Sequence, residues 1–436
     1  MSKIQLTIDP GYCGTWGAWE GVRELIANAK DAEDQDPRHA MEVEHSAKTS
    51  KLVIRTRNVT VDIASLLVLG KSDKRDGSVR GRFGEGFVIG CLALTRAGHP
   101  VTFRNHDRNW RCAFATPEDD HPLAGNDMLT FYSRSVTPTQ DFELTIENIT
   151  LATWAAMKEL FLFLSPPDPI EVIKVDRDSL IMAPARKGMV FARGVFVRAL
   201  EDLSFGYDLH DVPLDRDRRM IDEWTLQSRL TSMWVQATEA NPRLSRQAYD
   251  LVKNDAEDVQ HLRWRTDDTL IRRMKEHFVA DHGDAAVPVE TMTEARQVET
   301  LGSVPVVVNG ALKELLSRAG LSLTAAKASL EGKITARFSP SQLTPEEKFV
   351  SRILEILGED LAVVTFAGPA SARKIDDKVI GVDRRLLADA PGALRAVARV
   401  AAERRGVEEG SVLAEALART AASYNPTDVE AEKIAR

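Results

Sequence analysis

The chain has 436 residues, which is long for one domain, and its hydrophobic share of 43% is enough for sizeable cores, so we expect two or three domains. Its 57 lysines and arginines against 65 acidic residues give a net charge of −8, which excludes an obvious nucleic-acid binder but leaves a local basic groove open. This charge also argues against attachment to a membrane surface, no apolar run approaches the roughly 18 residues of a membrane helix, and residues 1–9 have the pattern of a strand and not of a leader. The three cysteines lack Cys-x-x-Cys spacing, so we expect neither disulfides nor structural zinc. We therefore expect a cytoplasmic protein without a membrane segment.

The first predicted helix, around residues 23–32, has an unusual polar face. Glu24, Asn28 and Asp31 fall within an arc of roughly 60°, while apolar side chains such as Leu25 and Ile26 take the other side. A solvated face usually mixes charges of both signs, so an acid, an amide and an acid in a line fit better against a cation or a ligand. An ordinary solvated face is the alternative.

Glycines about fifty residues later precede a second predicted helix. They let backbone amides approach an anion closely, and the helix predicted from residue 87 places its N-terminus on them, where phosphate is favoured. Cations in the loop before them, Lys74 among them, suit a polyphosphate, although a basic solvated loop is the alternative for each one. A Gly-x-x-Gly-x-Gly pattern alone also describes many tight turns. The candidate residues of this stretch are Gly81, Phe83, Gly84, Glu85, Gly86 and Phe87.

Strands surround these helices and predict an α+β layer without βαβ repeats. They are predicted near residues 41–46, 51–56, 101–105, 110–115, 128–133 and 142–147. A helix predicted over 152–164 ends at the Pro-rich segment 165–169, the strongest breaker in the chain. A linker or domain boundary is expected there.

The pattern changes twice after that breaker. First come strands at 170–175 and 189–198 and helices at 221–238, 245–255 and 267–280. From about residue 304 the composition shifts to Ala, Leu, Val and Arg, with a strand at 304–308, helices at 311–319 and 345–357, and an alanine-rich helix at 392–422. We predict domains at 1–165, 170–300 and 304–436, the third without metal chemistry and of unknown role.

The helix motif and the glycine motif, in this order and spacing, resemble the GHKL (Bergerat-fold) ATPases: gyrase B subunits, the large heat-shock chaperones, mismatch-repair MutL proteins and sensor histidine kinases. Glu24-x-x-x-Asn28-Ala29-x-Asp31-Ala32 matches the first family motif without a gap. The glycine stretch and the segment 16–20 look closer to sacsin-like and phage-type bacterial ATP-binding proteins. The resemblance implies a Bergerat-fold α/β sandwich ATPase domain, followed by a transducer-like α/β domain and a helical-rich C-terminal domain.

The resemblance also implies roles for single residues. Glu24 would be the general base for the attacking water, Asn28 would ligate Mg²⁺, and Asp31 would support the site. The family's Asp-x-Gly-x-Gly turn, which binds adenine, is missing; Asn58 stands nearest that place, and its amide oxygen could accept from the adenine amine. Thr145 corresponds to the adenine-side threonine of the family, with an ordinary core-strand threonine as the alternative.

A cation from the second domain reaches the γ-phosphate in such ATPases. Here Arg216 and Arg218 are the candidates for that cation, with Lys187 and Arg193 upstream, although alternating Asp and Arg also describes a salt-bridged surface turn.

These expectations converge on an Mg-dependent ATP-binding protein, a slow ATPase acting as a conformational switch. The alternative is a non-catalytic nucleotide-binding scaffold or a phage- or defence-associated interaction module. The expected cofactors are ATP and Mg²⁺, the expected partners are ATP and ADP, and a homodimer or an unidentified protein partner fits the resemblance. A role in nucleic-acid processing rests on analogy of fold alone.

Overall fold

The computed structural model describes residues 2–67, 85–117, 125–212, 222–264, 268–331, 334–337, 345–359, 362–366, 372–374, 379–383 and 390–422. The chain divides into two compact units, Met1–Leu226 and Gln227–Arg436. The three-domain division stays a prediction.

An antiparallel sheet of seven strands forms the first layer of the N-terminal unit. Its strands are β1 (Ser2–Gln5), β2 (Met41–Ser46), β3 (Lys51–Thr56), β4 (Val101–Asn105), β5 (Arg108–Ala115), β6 (Met128–Ser135) and β7 (Phe142–Ile146). They pair in the order β1-β6-β5-β4-β7-β3-β2, with every neighbouring pair antiparallel. The α+β class predicted from the sequence is confirmed.

Helices pack on one face of this sheet. They are α1 (Ala18–Gln35), α2 (Ile63–Leu67), α3 (Gly86–Arg96) and α4 (Leu151–Lys158). Strand residues alternate, so that Leu52 and Ile54 of β3 face a core shared with Val22 and Ile26 of α1 and with Leu92 of α3. The opposite face of the sheet carries mainly polar side chains.

A half-buried arginine holds the loop that leads into α1. The guanidinium of Arg96, at the end of α3, donates to the backbone carbonyls of Pro10 and Tyr12 through Nη1, at 2.8 and 3.0 Å. Through Nη2 it donates to those of Cys13 and Trp16, at 2.9 and 2.6 Å. Four carbonyls that no strand or helix pairs are thus satisfied by one side chain.

Two cysteines lie in the same core. The Thr95 hydroxyl donates to the Cys112 sulfur at 3.3 Å. Burial raises the pKa of the Cys112 thiol to about 12, and burial together with Cys112 raises the pKa of Cys91 well above its usual value. The third cysteine, Cys13, is half-buried, and none of the three forms a disulfide.

A second sheet follows in the N-terminal unit. Its strands are β8 (Val172–Val175), β9 (Asp178–Ile181), β10 (Met189–Ala192), β11 (Val195–Ala199) and β12 (Gly206–Leu209). The order is β11-β10-β12-β9-β8, and only the β10 and β12 pair is parallel.

The helix predicted over 152–164 ends earlier, because the residues after α4 pair with this second sheet. Phe161 forms a bridge with Val195, the Phe196 amide donates to the Leu160 carbonyl at 2.9 Å, and Phe161 is fully buried. Its ring packs on that of Trp19 of α1, with centroids 5.2 Å apart. Segment 160–162 therefore joins α1 to the second sheet.

The C-terminal unit and the boundary helix contain the remaining elements. They are α5 (Glu223–Ala240), α6 (Ser245–Lys253), α7 (Asp268–His282), β13 (Ala286–Val289), α8 (Met292–Thr300), β14 (Val304–Val307), α9 (Gly310–Arg318), α10 (Leu323–Glu331), β15 (Ile334–Arg337), α11 (Pro345–Ile356), β16 (Ala362–Phe366), β17 (Ala372–Lys374), β18 (Val379–Asp383), α12 (Ala390–Arg405) and α13 (Glu409–Ala422). Strands β13 and β14 are parallel, and a four-stranded sheet has the order β15-β16-β18-β17.

The alanine-rich helix predicted over 392–422 is two helices. Gly406 follows α12 with a φ of 65°, and the Val407 amide donates back to the Ala402 carbonyl at 3.1 Å. A left-handed glycine after the last helical residue is a common helix end. No helix among the described residues is long and apolar enough to cross a bilayer.

Candidate functional site

The polar stripe of α1 is buried. The helix begins after Gly17, whose amide donates to the Glu20 carboxylate at 2.8 Å. Glu24 is 6% exposed and Asp31 is 1% exposed, while Asn28 between them is half-buried. The stripe is therefore not the solvated face that the sequence left open, and such buried polar groups need partners.

Arg23 accompanies Glu24, which the sequence analysis did not foresee. Its Nε donates to Glu24 Oε1 at 3.1 Å, and both side chains are buried. The guanidinium also lies over the ring of Trp16, 5.2 Å from its centroid. Lys30 is occupied elsewhere on α1, at 2.5 Å from Glu33 and 2.9 Å from Asp34. Burial alone would lower the pKa of Lys30, but these two carboxylates raise it above its ordinary value.

Gly86, of the glycine motif, packs against Glu24 and Asn28 of the helix motif. It is the first residue of α3, and a Cβ placed on it would lie 2.8 Å from Glu24 Oε2 and 3.7 Å from Asn28 Nδ2. Two residues more than fifty positions apart in the sequence are thus in contact. Any residue larger than glycine at position 86 would displace the Glu24 carboxylate. The first turn of α3 lies beside Glu24 and Asn28, and the first amides of a helix have no partner within the helix itself.

The two helices are held close by further glycines. A Cβ on Gly21 would lie 2.6 Å from Leu94 Cγ and 2.9 Å from the Gly90 carbonyl oxygen, and one on Gly90 would lie 3.2 Å from the Gly21 carbonyl oxygen. Backbone therefore packs against backbone where α1 crosses α3. Gly86 and Gly90, four residues apart, share one face of α3, a signal that was readable in the sequence.

Phe87 and Glu85 flank this contact. Phe87 is buried, with its ring edge-on to Phe103 at 5.3 Å, and so anchors the start of α3 in the core. Glu85 precedes the helix, and its side chain does not cap it. Lys74, Gly81, Phe83, Gly84, Arg216 and Arg218 lie outside the described residues.

The structure does not bring Asn58 or Thr145 to Glu24. Asn58 follows β3 with a φ of 52° and is exposed; its amide N–H donates to Asp141 at 3.1 Å, and its Nδ2 donates to the Arg38 carbonyl at 3.1 Å. Thr145 pairs with Val53 on the face of the sheet opposite to α1, because its neighbours in β7 face the core. The adenine contacts that the resemblance implies for these two residues stay predictions.

One of the two upstream cations, Arg193, has other partners. Arg193 donates through Nε to the His210 carbonyl at 2.9 Å and lies 3.3 Å from Asp211, while Lys187 is exposed. These contacts place Arg193 at the end of β12.

The donor set at Glu24 and Asn28 fits a hard cation with a phosphate. A carboxylate and a carboxamide supply oxygen ligands of the kind Mg²⁺ takes, and Mg²⁺ commonly completes its octahedron with phosphate oxygens and water. The described residues hold no group of three or more His, Cys, Asp or Glu that could bind a metal alone.

Comparison with known proteins finds structural likeness only. No protein-family model matches the chain, and no curated protein matches it. The ATPase region of Saccharomyces cerevisiae topoisomerase II is similar at 10% identity and a TM-score of 0.27, over 41% of this chain and 62% of that one. The ATPase and transducer domains of Balamuthia mandrillaris DNA topoisomerase II are similar at 12% identity and a TM-score of 0.30, over 52% of this chain and 67% of that one.

Proposed function

We propose that this chain binds Mg-ATP between α1 and α3 and hydrolyses it slowly as a conformational switch. The observation that carries the proposal is the close approach of Gly86 to Glu24 and Asn28. It combines a buried carboxylate, an amide oxygen donor and the N-terminus of an eleven-residue helix, which favours phosphate.

Each residue has a distinct part in this proposal. Asn28 Oδ1 would hold the cation, and the amides of the first turn of α3 would bind phosphate oxygens. Glu24 would accept a proton from water through Oε2, the oxygen that faces Gly86, while Oε1 accepts from Arg23. When bound, Mg²⁺ would supply charge neutralisation on the phosphates.

Two substitutions test these parts separately. Asn28→Ala should weaken Mg-ATP binding at least tenfold by calorimetry, about the loss expected for one hydrogen bond to a charged group. Gln35→Ala, at an exposed amide near the end of the same helix, is the matched control and should bind as wild type does. Equal affinity of Asn28→Ala and wild type, with intact circular dichroism, would remove Asn28 from the site.

Glu24→Gln should retain Mg-ATP while phosphate release falls about 10²-fold, because only the proton acceptor is removed. Asp34→Ala, at an exposed carboxylate of α1, should keep wild-type turnover. Turnover that is equal in Glu24→Gln and wild type would mean that this carboxylate is not the base.

A second candidate is nucleotide binding without turnover. The Arg23 contact supports it, because the Glu24 oxygen that accepts from the guanidinium is not free to accept from water. In that case Mg-ATP should bind but wild type should release no phosphate above the Glu24→Gln background. A sacsin-like or phage-type relationship, a homodimer, a protein partner, a cytoplasmic location and a γ-phosphate contact from Arg216 or Arg218 stay predictions.

A further inference from the structure

The strand β14 of the C-terminal unit has an open edge. It pairs with β13 on one side, and no strand among the described residues pairs with it on the other. Its side chains Val304 and Val307 are 52% and 66% exposed, and residues 303–309 carry no charge. Natural proteins usually blunt such an edge with charged side chains or cover it, because it can pair with another strand.

The pairing with β13 determines which backbone groups this edge presents. The Val304 and Val308 amides donate to the carbonyls of Ala285 and Val289, at 2.8 and 2.9 Å. Successive residues of a strand direct their backbone groups to opposite sides, so the even-numbered residues of β14 bond β13 and the odd-numbered ones face outward. The outward groups, which no described residue bonds, are the Pro305 and Val307 carbonyls and the amides of Val307 and the extended Asn309. We name these four groups the β14 edge.

The β14 edge is complementary to a second copy of itself in the antiparallel direction. If Val307 lies opposite the partner's Val307, these two residues exchange both of their hydrogen bonds. Two positions further along, the Asn309 amide reaches the partner's Pro305 carbonyl, and the two-fold axis repeats this bond. Every outward donor and acceptor of both copies is then used.

Proline favours this partner over an unrelated strand. Pro305 has no N–H, so the carbonyl opposite it receives no donor from β14. In the two-fold pairing this carbonyl belongs to Asn309, and the Asn309 carbonyl already accepts from the Lys313 amide of α9 at 3.0 Å. A strand of another protein would bring an unbonded carbonyl to this position.

We propose that two copies of this chain associate through β14, antiparallel and around a two-fold axis at Val307. The two-stranded sheets of both copies would then form one sheet of four strands, and two-stranded sheets are marginal on their own. The proposal does not rest on the nucleotide site, which lies in the other unit of the chain.

Sedimentation equilibrium of the full chain without nucleotide tests the contact. Val307→Lys places two like charges opposite each other and should raise the dissociation constant of the dimer about tenfold or more, and Val307→Glu should do the same. An equimolar mixture of these two variants should associate about as tightly as wild type, because opposite charges then face each other. The control is Val407→Lys, at a valine of the same unit that is 48% exposed, which should associate as wild type does. Circular dichroism and thermal melts should show that the variants are folded.

Cysteine cross-linking tests the register in a Cys13→Ser background, in which the remaining cysteines, Cys91 and Cys112, are buried. Val307→Cys should give a cross-linked dimer on mild oxidation, because directly opposed residues have Cα atoms about 5.5 Å apart, within disulfide range. Val304→Cys should not, because three residues from the axis it lies about 20 Å from the partner's Val304.

Three outcomes would overturn the proposal. A wild-type chain that stays monomeric at about 0.1 mM would leave the β14 edge to a strand of another protein. A dimer that Val307→Lys and Val307→Glu do not weaken would place the contact elsewhere. Equal cross-linking of Val304→Cys and Val307→Cys would exclude the two-fold register. A chain that dimerises in this way but does not bind Mg-ATP would contradict the proposed function alone.

Discussion

Gly86→Ala tests the contact on which the candidate site depends. The new Cβ would lie 2.8 Å from Glu24 Oε2, closer than carbon and oxygen atoms approach in folded proteins. The φ of Gly86 is not positive, so the backbone accepts alanine without strain. The Glu24 carboxylate must therefore move.

The size of the effect expected for Gly86→Ala follows from the same distances. Ordinary contact begins at 3.4 Å, so Oε2 must move by about 0.6 Å, which also disturbs its bond with Arg23. Alanine in place of glycine in a helix gains up to about 1 kcal/mol, which offsets the cost of rotating one side-chain end. We expect the midpoint of thermal unfolding to change little, while phosphate release falls about 10- to 100-fold because the base is misplaced.

Phosphate release at saturating Mg-ATP and differential scanning calorimetry on the same samples measure both quantities. Gly410→Ala is the control, since Gly410 is the second residue of α13 and nothing lies within 4 Å of a Cβ there. Wild-type turnover in Gly86→Ala would refute the idea that Glu24 works at this contact. A loss of turnover with a melting point lowered by more than about 8 °C would instead indicate a structural effect.

Three further outcomes are expected elsewhere in the N-terminal unit. Arg96→Met removes the donor of four hydrogen bonds to backbone carbonyls, of which that of Cys13 also accepts from the Trp16 amide, and should reduce the free energy of unfolding in urea by about 2–4 kcal/mol; a loss below about 0.5 kcal/mol, the size of a surface substitution, would contradict this role. Native protein should react with Ellman's reagent quickly at Cys13 alone and, once unfolded, at three thiols, because burial raises the pKa of the other two; three fast thiols in the native state would disprove it. The Ser165 hydroxyl and the neighbouring Arg186 lower the pKa of Glu159 below its ordinary value of 4.5, so this carboxylate stabilises the fold above that value and the stabilisation is lost as the pH falls below it; urea midpoints of Arg186→Met should fall less on this acidification than those of wild type.

Period-two patterns explain why the first sheet could be predicted. The strands at 41–46, 51–56 and 101–105 agree with the structure to the residue, because one face of each is buried or half-buried and the other is more exposed. The same pattern also contained the orientation of Thr145, since apolar residues at 142, 144 and 146 had to face the core.

Other elements of the fold depend on contacts with residues far away in the sequence, which a local pattern does not reveal. The segment after α4 keeps helical spacing, yet Phe161 pairs with Val195 of a strand more than thirty residues later. The strands β16 and β18 are short apolar runs, which periodicity does not distinguish from buried helix.

The site was predictable in its parts but not in its contacts. Spacing along α1 predicted that Glu24, Asn28 and Asp31 share a face, and the structure buries that face. That Gly86 touches Glu24, and that Arg23 bends back to the same carboxylate, follow only from how α1 crosses α3.

The position of Trp16 makes it an optical reporter. Its indole is buried against Ile89 and Ala93 of α3 and lies under the guanidinium that binds Glu24. Indole emission responds to nearby charge, so an occupant that draws Glu24 away from Arg23 would change the field over this ring and with it the emission colour. The chain has seven tryptophans, and subtracting the spectrum of Trp16→Phe from that of wild type would isolate the signal of this one. Occupancy of the α1 and α3 crossing can therefore be followed by fluorescence in real time without any attached dye.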